Sequence, residues 1–231
     1  MFTIVFLSFH SELHVKRLVF DIKKKYPIIV IENSLNVKLK KELEEKFDNV
    51  KVIIPPKNIG LSAGYNLGIK ESKTNLVFLN PTDVVITNEC LENLEECISK
   101  IKDFTLLAPT YDDESVYKNY EIFEDKKIYV SQKIKFTHYG SQSVSSNFSH
   151  KIALSRSWHY NWSKFYYFKK NFGYLIALRK IFPNFLRSLK RLLISKIYNK
   201  KIEYSLHKAE LSGIMTSVFN KPSDYRPFEI E

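Results

Sequence analysis

The strongest constraint on the fold is a regular alternation of short apolar runs and amphipathic runs over the first 108 residues. The apolar runs are rich in β-branched and aromatic residues and are predicted to be strands at residues 2–9, 28–31, 50–54, 76–79 and 104–108. Between them, apolar residues recur with helical spacing at residues 11–25, 37–47, 61–72 and 88–101. This alternation predicts an α/β fold with a mostly parallel sheet flanked by helices.

Polar segments follow each of the first four predicted strands. Ligands of open parallel sheets bind outside the carboxyl ends of the strands. The residues that the alternation brings to this edge are Ser8, Phe9, Glu32, Asn33, Ser34, Asn58, Asn80 and Asp83. The sequence therefore predicts a binding site at the carboxyl edge of the sheet.

A glycine-containing segment at residues 57–70, KNIGLSAGYNLGIK, leads from the third predicted strand into the next helix. Gly60, Gly64 and Gly68 recur every four residues. Small residues let a ligand or a neighbouring strand approach the backbone, and a helix N-terminus favours an anionic phosphate. The spacing alone allows two interpretations, a phosphate-binding loop or close packing of the helix on the sheet. The segment matches neither the GxGxxG fingerprint nor the P-loop.

The fourth predicted strand ends in Asn80-Pro-Thr-Asp83. A carboxylate at this edge can hold Mg²⁺ or Mn²⁺, and such an ion neutralises a diphosphate as it leaves. The other interpretation is that Asp83 only begins a turn after Pro81.

In chain order, these segments resemble the family-2 glycosyltransferases of the GT-A fold, especially the rhamnosyltransferase-like members. The resemblance covers the N-terminal half, and His138-Tyr-Gly-Ser-Gln-Ser143 is similar to a later segment of the family. It implies transfer of a hexosyl or rhamnosyl group from a nucleotide-sugar donor to a saccharide or lipid-linked acceptor in cell-surface polysaccharide synthesis, with inversion. It also implies a divalent cation, Mg²⁺ or Mn²⁺, as cofactor.

Roles for single residues also follow from the resemblance. Glu32 faces the nucleotide base, while Asp83 and His138 contact the metal and the diphosphate. The residues that surround the nucleotide and the sugar are Ser8, Phe9, Glu32, Asn33, Ser34, Asn58, Gly60, Gly64, Asn66 and Asn80. We therefore expect Asn58, Asn66 and Asp83 to face one cleft.

The sequence departs from the family in its middle. Family members usually carry a longer stretch between the Asn-Pro-Asp strand and the His segment, and that stretch supplies the catalytic base. Here only residues 107–135 connect the two, and Glu124-Asp125 is the only Glu-Asp pair in the chain. Glu124 and Asp125 are the candidate base, or the pair is an accidental match. The alternative function is a non-catalytic remnant that binds a nucleotide-sugar or a membrane.

The positive charge lies in the last third of the chain. The formal net charge is +11, and residues 151–231 carry all of it, because residues 1–150 have equal numbers of acidic and basic residues. This part of the chain mixes aromatic and basic residues, which is typical of segments that bind an anionic membrane surface or a nucleic acid. The alternative is a helical subdomain whose aromatic residues pack on the sheet and whose lysines are solvated. The stretch Trp158-His-Tyr-Asn-Trp-Ser-Lys164 resembles the end of some rhamnosyltransferase-like chains, which argues against nucleic acid.

We expect two domains, a nucleotide-sugar-binding domain at residues 1–148 and a basic aromatic helical region at residues 149–231. Pro183 is expected to kink or restart its helix, and the tail from Lys221 is expected to be loose. No apolar run approaches the roughly 20 residues that span a bilayer, and the start lacks a signal-peptide pattern. The sequence therefore predicts a cytoplasmic protein that is peripheral on the inner face of the membrane.

Overall fold

The structure is a computed structural model that describes residues 1–101, 104–111, 128–138 and 149–227. The chain divides into two compact units, Met1–Ser145 and Ser146–Glu231. The elements of the first unit are β1 (Thr3–Ser8), α1 (Glu12–Asp21), β2 (Ile28–Glu32), α2 (Val37–Lys46), β3 (Val50–Ile53), α3 (Leu61–Glu71), β4 (Val77–Pro81), β5 (Val84–Val85), α4 (Asn88–Lys100), β6 (Leu106–Tyr111) and β7 (Ile128–His138).

Strands β1 to β4 form a parallel sheet in the order β3-β2-β1-β4. Side chains alternate along β1, so Ile4 and Phe6 face the core that α1, α2 and α4 cover. Val5 and Leu7 face the opposite side, where Tyr65 of α3 packs. Both faces are covered, which explains why these strands are continuous apolar runs. The α/β class with a parallel sheet flanked by helices is confirmed.

The glycines of α3 allow this helix to lie close to β1. A Cβ atom on Gly64 would stand 2.3 Å from Leu7 Cδ1, and one on Gly68 would stand 2.4 Å from Val5 Cγ1. Real Cβ atoms are not found at such distances. Of the two interpretations of this spacing, close helix–sheet packing describes Gly64 and Gly68.

A three-stranded sheet has the order β5-β7-β6, with β5 antiparallel and β6 parallel to β7. The sequence predicts that residues 104–108 form the fifth strand of the main parallel sheet. In the structure this strand is β6, and it pairs with β7 in the second sheet. The sequence also predicts two short strands at 128–130 and 134–136, and the structure has one continuous strand there. The register of the β6–β7 ladder shifts directly after Pro109, which has no N–H to donate to it.

The second unit consists of three consecutive helices, α5 (Ser149–Phe172), α6 (Tyr174–Ile197) and α7 (Lys201–Val218). Their common core is built from Phe165, Ala177, Ile181 and Ile214. Gly173, with φ +88°, reverses the chain between α5 and α6. Among the described helices, none combines the length and the apolar character needed to cross a bilayer.

The second unit departs from two local expectations, a restart of the helix at Pro183 and a loose tail after Lys221. Helix α6 runs through Pro183 without a restart. Pro183 and Arg179 are both exposed, so water can hydrogen-bond the Arg179 carbonyl that the proline leaves unpaired. The chain after Lys221 is also held in place, because Tyr225 stacks on Trp158 with ring centroids 5.4 Å apart.

Candidate functional site

The carboxyl ends of β1, β2 and β4 meet at one edge of the parallel sheet. Ser8 lies opposite Glu32 in the β1–β2 register, and Leu7 lies opposite Pro81 in the β1–β4 register. The Asn33 amide donates to the Ser8 carbonyl at 2.8 Å, which extends the ladder beyond the last paired residues. Neighbouring strands lie about 4.8 Å apart, so the ends of β2 and β4 are separated by about 10 Å.

The order of the strands locates a crevice at this edge. From β1 the chain proceeds through β2 to β3 on one side, then returns through α3 to β4 on the other side of β1. Open α/β sheets bind ligands outside the strand ends where such connections diverge. The crevice is therefore expected between the ends of β1 and β4.

Glu32 has one satisfied and one unsatisfied carboxylate oxygen. Its Oε1 atom accepts hydrogen bonds from the Ser34 amide at 2.8 Å and from the Ser34 hydroxyl. Glu32 is completely buried, and Oε2 has no hydrogen-bond partner among the described residues. The neighbouring Asn33 Oδ1 atom is buried and unpaired in the same part of the structure. Leaving a buried acceptor unpaired costs about 1–3 kcal/mol, so a ligand that donates a hydrogen bond to either oxygen would recover part of that free energy.

An unpaired acceptor does not by itself define a binding site. Asn49 Oδ1 is also buried without a partner among the described residues, but it lies just before β3, at the amino end of the sheet. Glu32 and Asn33 differ from Asn49 in two ways: they are adjacent to each other, and they lie at the edge where parallel sheets bind ligands.

The loop before α3 is tied to the end of β2. Asn58 Oδ1 accepts a hydrogen bond from the Gly60 amide at 2.9 Å, and the Asn33 side-chain amide donates to the Gly60 carbonyl at 3.2 Å. Gly60 has φ +82°, which a residue with a side chain rarely adopts. These contacts hold the N-terminus of α3 beside Asn33.

The turn after β4 is shaped by Asn80 and contains Asp83. The Asn80 side-chain amide donates to the carbonyls of Pro81 and Val84, at 2.8 and 3.1 Å. Asp83 is 7% exposed. Its neighbour Val84 pairs with His138 across the β5–β7 ladder. The backbones of the two candidate metal ligands are thus neighbours, although they come from separate sequence motifs.

A cation held by the protein alone does not fit this edge. The described residues contain no group of three or more His, Cys, Asp or Glu side chains that could hold a metal ion. Mg²⁺ commonly binds through one or two carboxylates and completes its shell with substrate phosphates and water. Asp83 therefore fits a cation that is shared with a diphosphate.

The structure brings most of the predicted site residues together. Those at the carboxyl edge are Ser8, Phe9, Glu32, Asn33, Ser34, Asn58, Gly60, Asn80 and Asp83. Asn66 is exposed, and it lies about 200° around α3 from Gly64, which faces the sheet. The expectation that Asn66 shares a cleft with Asn58 and Asp83 is therefore not met. Glu124 and Asp125 lie outside the described residues.

Sequence reasoning missed the part that Ser11 has at this edge. Ser11 is buried and precedes α1, but its side chain makes no capping hydrogen bond. Its hydroxyl instead donates to Ser8 Oγ and accepts from the Phe9 amide, each at 3.3 Å. The only sequence signal was a serine three residues after a strand end, which also suits a helix cap.

The parallel sheet, its flanking helices and its polar carboxyl edge define an α/β protein of the GT-A type. Residues 4–173 match the family model of Glycosyl transferase family 2, and the match covers most of the chain. The chain therefore belongs to glycosyl transferase family 2. Membership makes it a glycosyltransferase by class, which binds a nucleotide-sugar donor and an acceptor. A search of curated proteins found no significant match to the chain.

Proposed function

We propose that the protein transfers a hexosyl or rhamnosyl group, with inversion, from a nucleotide-sugar held along the carboxyl edge to a saccharide or lipid-linked acceptor. The observation that carries the donor position is that Glu32 Oε2 and Asn33 Oδ1 are buried acceptors with no hydrogen-bond partner in the part of the chain that the structure describes. Nucleosides offer N–H and O–H donors to such atoms, whereas phosphate oxygens are acceptors and carry negative charge. The nucleoside therefore belongs at β2, and the diphosphate belongs toward β1 and β4.

The distances along the edge suit this orientation. The ends of β2 and β4 are about 10 Å apart, a span that accommodates a nucleoside with its diphosphate. Both acceptor side chains are buried. We therefore expect donor binding to move the side chains that cover them.

Asp83 and His138 are the residues that we propose to hold a divalent cation, Mg²⁺ or Mn²⁺. When bound, the cation offsets the negative charge that develops on the leaving diphosphate. Asp83 contributes a carboxylate, and the β5–β7 register supports a position of His138 beside it.

The proposed transfer is a single displacement. The acceptor hydroxyl oxygen forms a bond to the anomeric carbon, the bond from that carbon to the diphosphate oxygen breaks, and a base takes the hydroxyl proton. Glu124 and Asp125 are the proposed base. The second candidate function, a protein that binds the donor without transfer, is supported by the resemblance, which implies a longer segment than residues 107–135 at this point of the chain.

Thermal denaturation with nucleoside diphosphates tests the donor site. A ligand at about 100 times its Kd adds about 2.7 kcal/mol of stability, which raises the melting temperature of a domain of this size by roughly 5–10 °C. Glu32→Gln keeps an oxygen for Ser34 and replaces the unpaired oxygen with an N–H donor. We expect it to weaken binding roughly tenfold or more, because a hydrogen bond to a charged group contributes about 1.5–3 kcal/mol.

The matched control is Glu45→Gln, which removes an exposed carboxylate of α2 and should leave binding unchanged. If no nucleoside diphosphate raises the melting temperature, the proposed donor site is wrong.

Asp83→Asn tests the proposed cation site. It should remove only the additional rise in melting temperature that Mg²⁺ or Mn²⁺ produces, and Asp48→Asn, at an exposed position, is its control. Release of nucleoside diphosphate from a saturating donor and acceptor supports transfer, whereas binding without release supports the second candidate function.

We also propose that the acceptor is part of cell-surface glycan synthesis and that α6 rests on an anionic membrane surface. Helix α6 carries six basic residues and no acidic residue. Large apolar side chains share one exposed face of this helix: Leu175, Phe182, Leu186, Leu193 and Ile197. This combination of apolar and basic residues is typical of helices that lie in a membrane interface.

A further inference from the structure

A polar cavity of about 380 Å³ lies among the three helices of the second unit. Three arginines line it, Arg156 from α5 and both Arg187 and Arg191 from α6. All three are exposed, and none makes a hydrogen bond or an ion pair within the described ranges. The volume is within the range of small-molecule sites in proteins.

The lining has a clear excess of positive charge. Glu210 of α7 is the acidic residue among the lining residues. Its Oε2 atom accepts a hydrogen bond from the Ser188 hydroxyl at 2.7 Å and lies 3.1 Å from His207 Nδ1. The three guanidinium groups and this carboxylate sum to a net charge of about +2 on the ordinary charge states of these groups.

The inner wall of the cavity is an ordered network of amides. Asn161 is 5% exposed, and its side-chain amide donates to the Ser157 carbonyl at 2.9 Å. Its Oδ1 atom accepts from the Asn184 side-chain amide at 3.4 Å, and Asn184 Oδ1 accepts from Lys164 Nζ at 3.2 Å. These bonds fix the orientation of polar groups between α5 and α6, as a preorganised site requires.

We propose that this cavity binds a phosphate or diphosphate group. The planar guanidinium fork matches phosphate oxygens in a bidentate manner, and a net charge of about +2 complements a dianion. All of the lining residues belong to the second unit, whereas the residues of the donor edge belong to the first. Arg187 and Arg191 also lie beyond the residues that match the family, so the proposal does not depend on the proposed transfer reaction.

Calorimetric titration of the full-length protein tests the proposal, with inorganic pyrophosphate and inorganic phosphate as the two probes. In buffer without a divalent cation, which the proposed donor edge shares with a diphosphate, we expect one saturable pyrophosphate site that Arg187→Gln weakens about tenfold, since a hydrogen bond to a charged group contributes about 1.5–3 kcal/mol. Arg187→Lys keeps the charge but loses the fork, so it should recover only part of the binding. The matched control is Arg179→Gln, which removes an exposed arginine of α6 outside this cavity.

A second arm of the experiment distinguishes a free phosphate from a lipid headgroup. Phosphatidylcholine vesicles with phosphatidic acid present a terminal phosphate, whereas vesicles with phosphatidylglycerol present the negative charge without one. If Arg187→Gln weakens binding to the phosphatidic acid vesicles more than Arg179→Gln does, and the two variants bind the phosphatidylglycerol vesicles equally, the cavity accepts a lipid phosphate. If Arg187→Gln reduces only pyrophosphate binding, the ligand is a soluble phosphate.

Two results overturn the proposal. One is the absence of Arg187-dependent binding to either probe. The other is an equal loss in Arg179→Gln and Arg187→Gln, which indicates general attraction to the basic surface. The Asp83→Asn variant separates this site from the donor edge, because pyrophosphate binding in the cavity should be unchanged by it. The donor site can therefore fail its own test while this one stands, and the reverse is also true.

Discussion

Glu32 uses its two carboxylate oxygens differently. Oε1 is fixed by the Ser34 amide and hydroxyl, while Oε2 has no partner in the described part of the chain. A buried and unpaired acceptor destabilises the folded state, because the lost hydrogen bonds to water are not replaced. The fixed oxygen holds the side chain in place, so the unpaired one has a defined direction before a ligand arrives.

Gly213 determines how closely α5 and α7 approach each other. A Cβ atom at this position would stand 2.3 Å from the Trp158 carbonyl oxygen. At Gly64 the contacted atom is the tip of Leu7, which can rotate, whereas a backbone carbonyl in a helix cannot. We therefore predict that Gly213→Ala lowers the free energy of unfolding of the second unit by about 1–3 kcal/mol. Urea denaturation followed by tryptophan fluorescence measures this, because both tryptophans of the chain lie in α5.

The control for this substitution is Lys208→Ala, an exposed position on the same helix, where we expect a change within about 0.5 kcal/mol. Alanine favours a helix over glycine by up to about 1 kcal/mol. An increase in stability for Gly213→Ala would therefore mean that helix propensity outweighs the contact with Trp158, contrary to the prediction.

At the level of elements, the chain after α7 packs back on α5. The Trp162 indole N–H donates to the Lys221 carbonyl at 3.1 Å. His159 Nδ1 lies 2.9 Å from Ser223 Oγ, and its Nε2 atom lies 2.9 Å from the Tyr225 carbonyl. Burial lowers the pKa of His159, and the nearby Arg226 adds to this effect, whereas the Tyr225 carbonyl and Asp224 oppose it. The net effect lowers the pKa of His159 and so favours its neutral form.

This lowered pKa predicts that the second unit loses stability in acid. The pKa of His159 is lower in the folded state than the ordinary value of about 6.5. The unfolded state then binds more protons than the folded state below that value, so the free energy of unfolding falls as the pH drops through and below about 6.5. Urea denaturation at a series of pH values, followed by tryptophan fluorescence, measures the slope.

His159→Gln should reduce this pH dependence, because the titrating group is removed. His150→Gln is the matched control, since it removes an exposed histidine of the same helix. An unchanged slope in His159→Gln, or an equal reduction in His150→Gln, would assign the pH dependence to other groups.

The elements that follow from the sequence are those whose packing is repeated along the chain. Strands β1 to β4 and helices α1 to α4 could be predicted because both faces of the sheet are covered and each helix buries one face. The pairing of β6 with β7 could not, because the strand–helix alternation ends after residue 108, and a ladder outside that alternation depends on contacts that leave no local pattern. The anchoring of residues 221–227 depends on the same kind of distant contact, with Trp158 and His159.

The candidate site was predictable to a similar degree. Strand ends locate Glu32, Asn33 and Asp83 at one edge, since parallel strands end together. Asn66 was assigned to the cleft from the family resemblance, although its spacing from Gly64 in the predicted helix already places it on the opposite face of α3. Which acceptor oxygens are unpaired depends on Ser34 and Gly60, so only the structure identifies them.

Across the whole molecule, the net positive charge is concentrated in the second unit. The net charge of +11 arises after residue 150, and α6 combines six basic residues with an exposed apolar face. Apolar side chains on such a face insert at the boundary of the lipid headgroups, while nearby cations are attracted by anionic lipids, at about 1 kcal/mol for each Lys or Arg. An anionic membrane surface therefore fits both features of α6.

We predict that the protein sediments with phosphatidylcholine vesicles that contain phosphatidylglycerol, and that high salt weakens this binding because it screens the charges. Leu175 and Phe182 are 80% and 57% exposed, so the double variant Leu175→Glu, Phe182→Glu should fold. It places negative charge on the apolar face and should reduce the bound fraction severalfold, which co-sedimentation measures.

The control for this variant is Leu13→Glu in α1, because Leu13 is 82% exposed and belongs to the first unit. It adds one negative charge without altering α6, and its small effect on binding should be only that of net charge. If Leu13→Glu reduces the bound fraction as much as Phe182→Glu alone, charge rather than the apolar face of α6 determines attachment. If vesicles of phosphatidylcholine alone bind equally well, the basic residues of α6 do not contribute, and the proposed anionic surface is wrong.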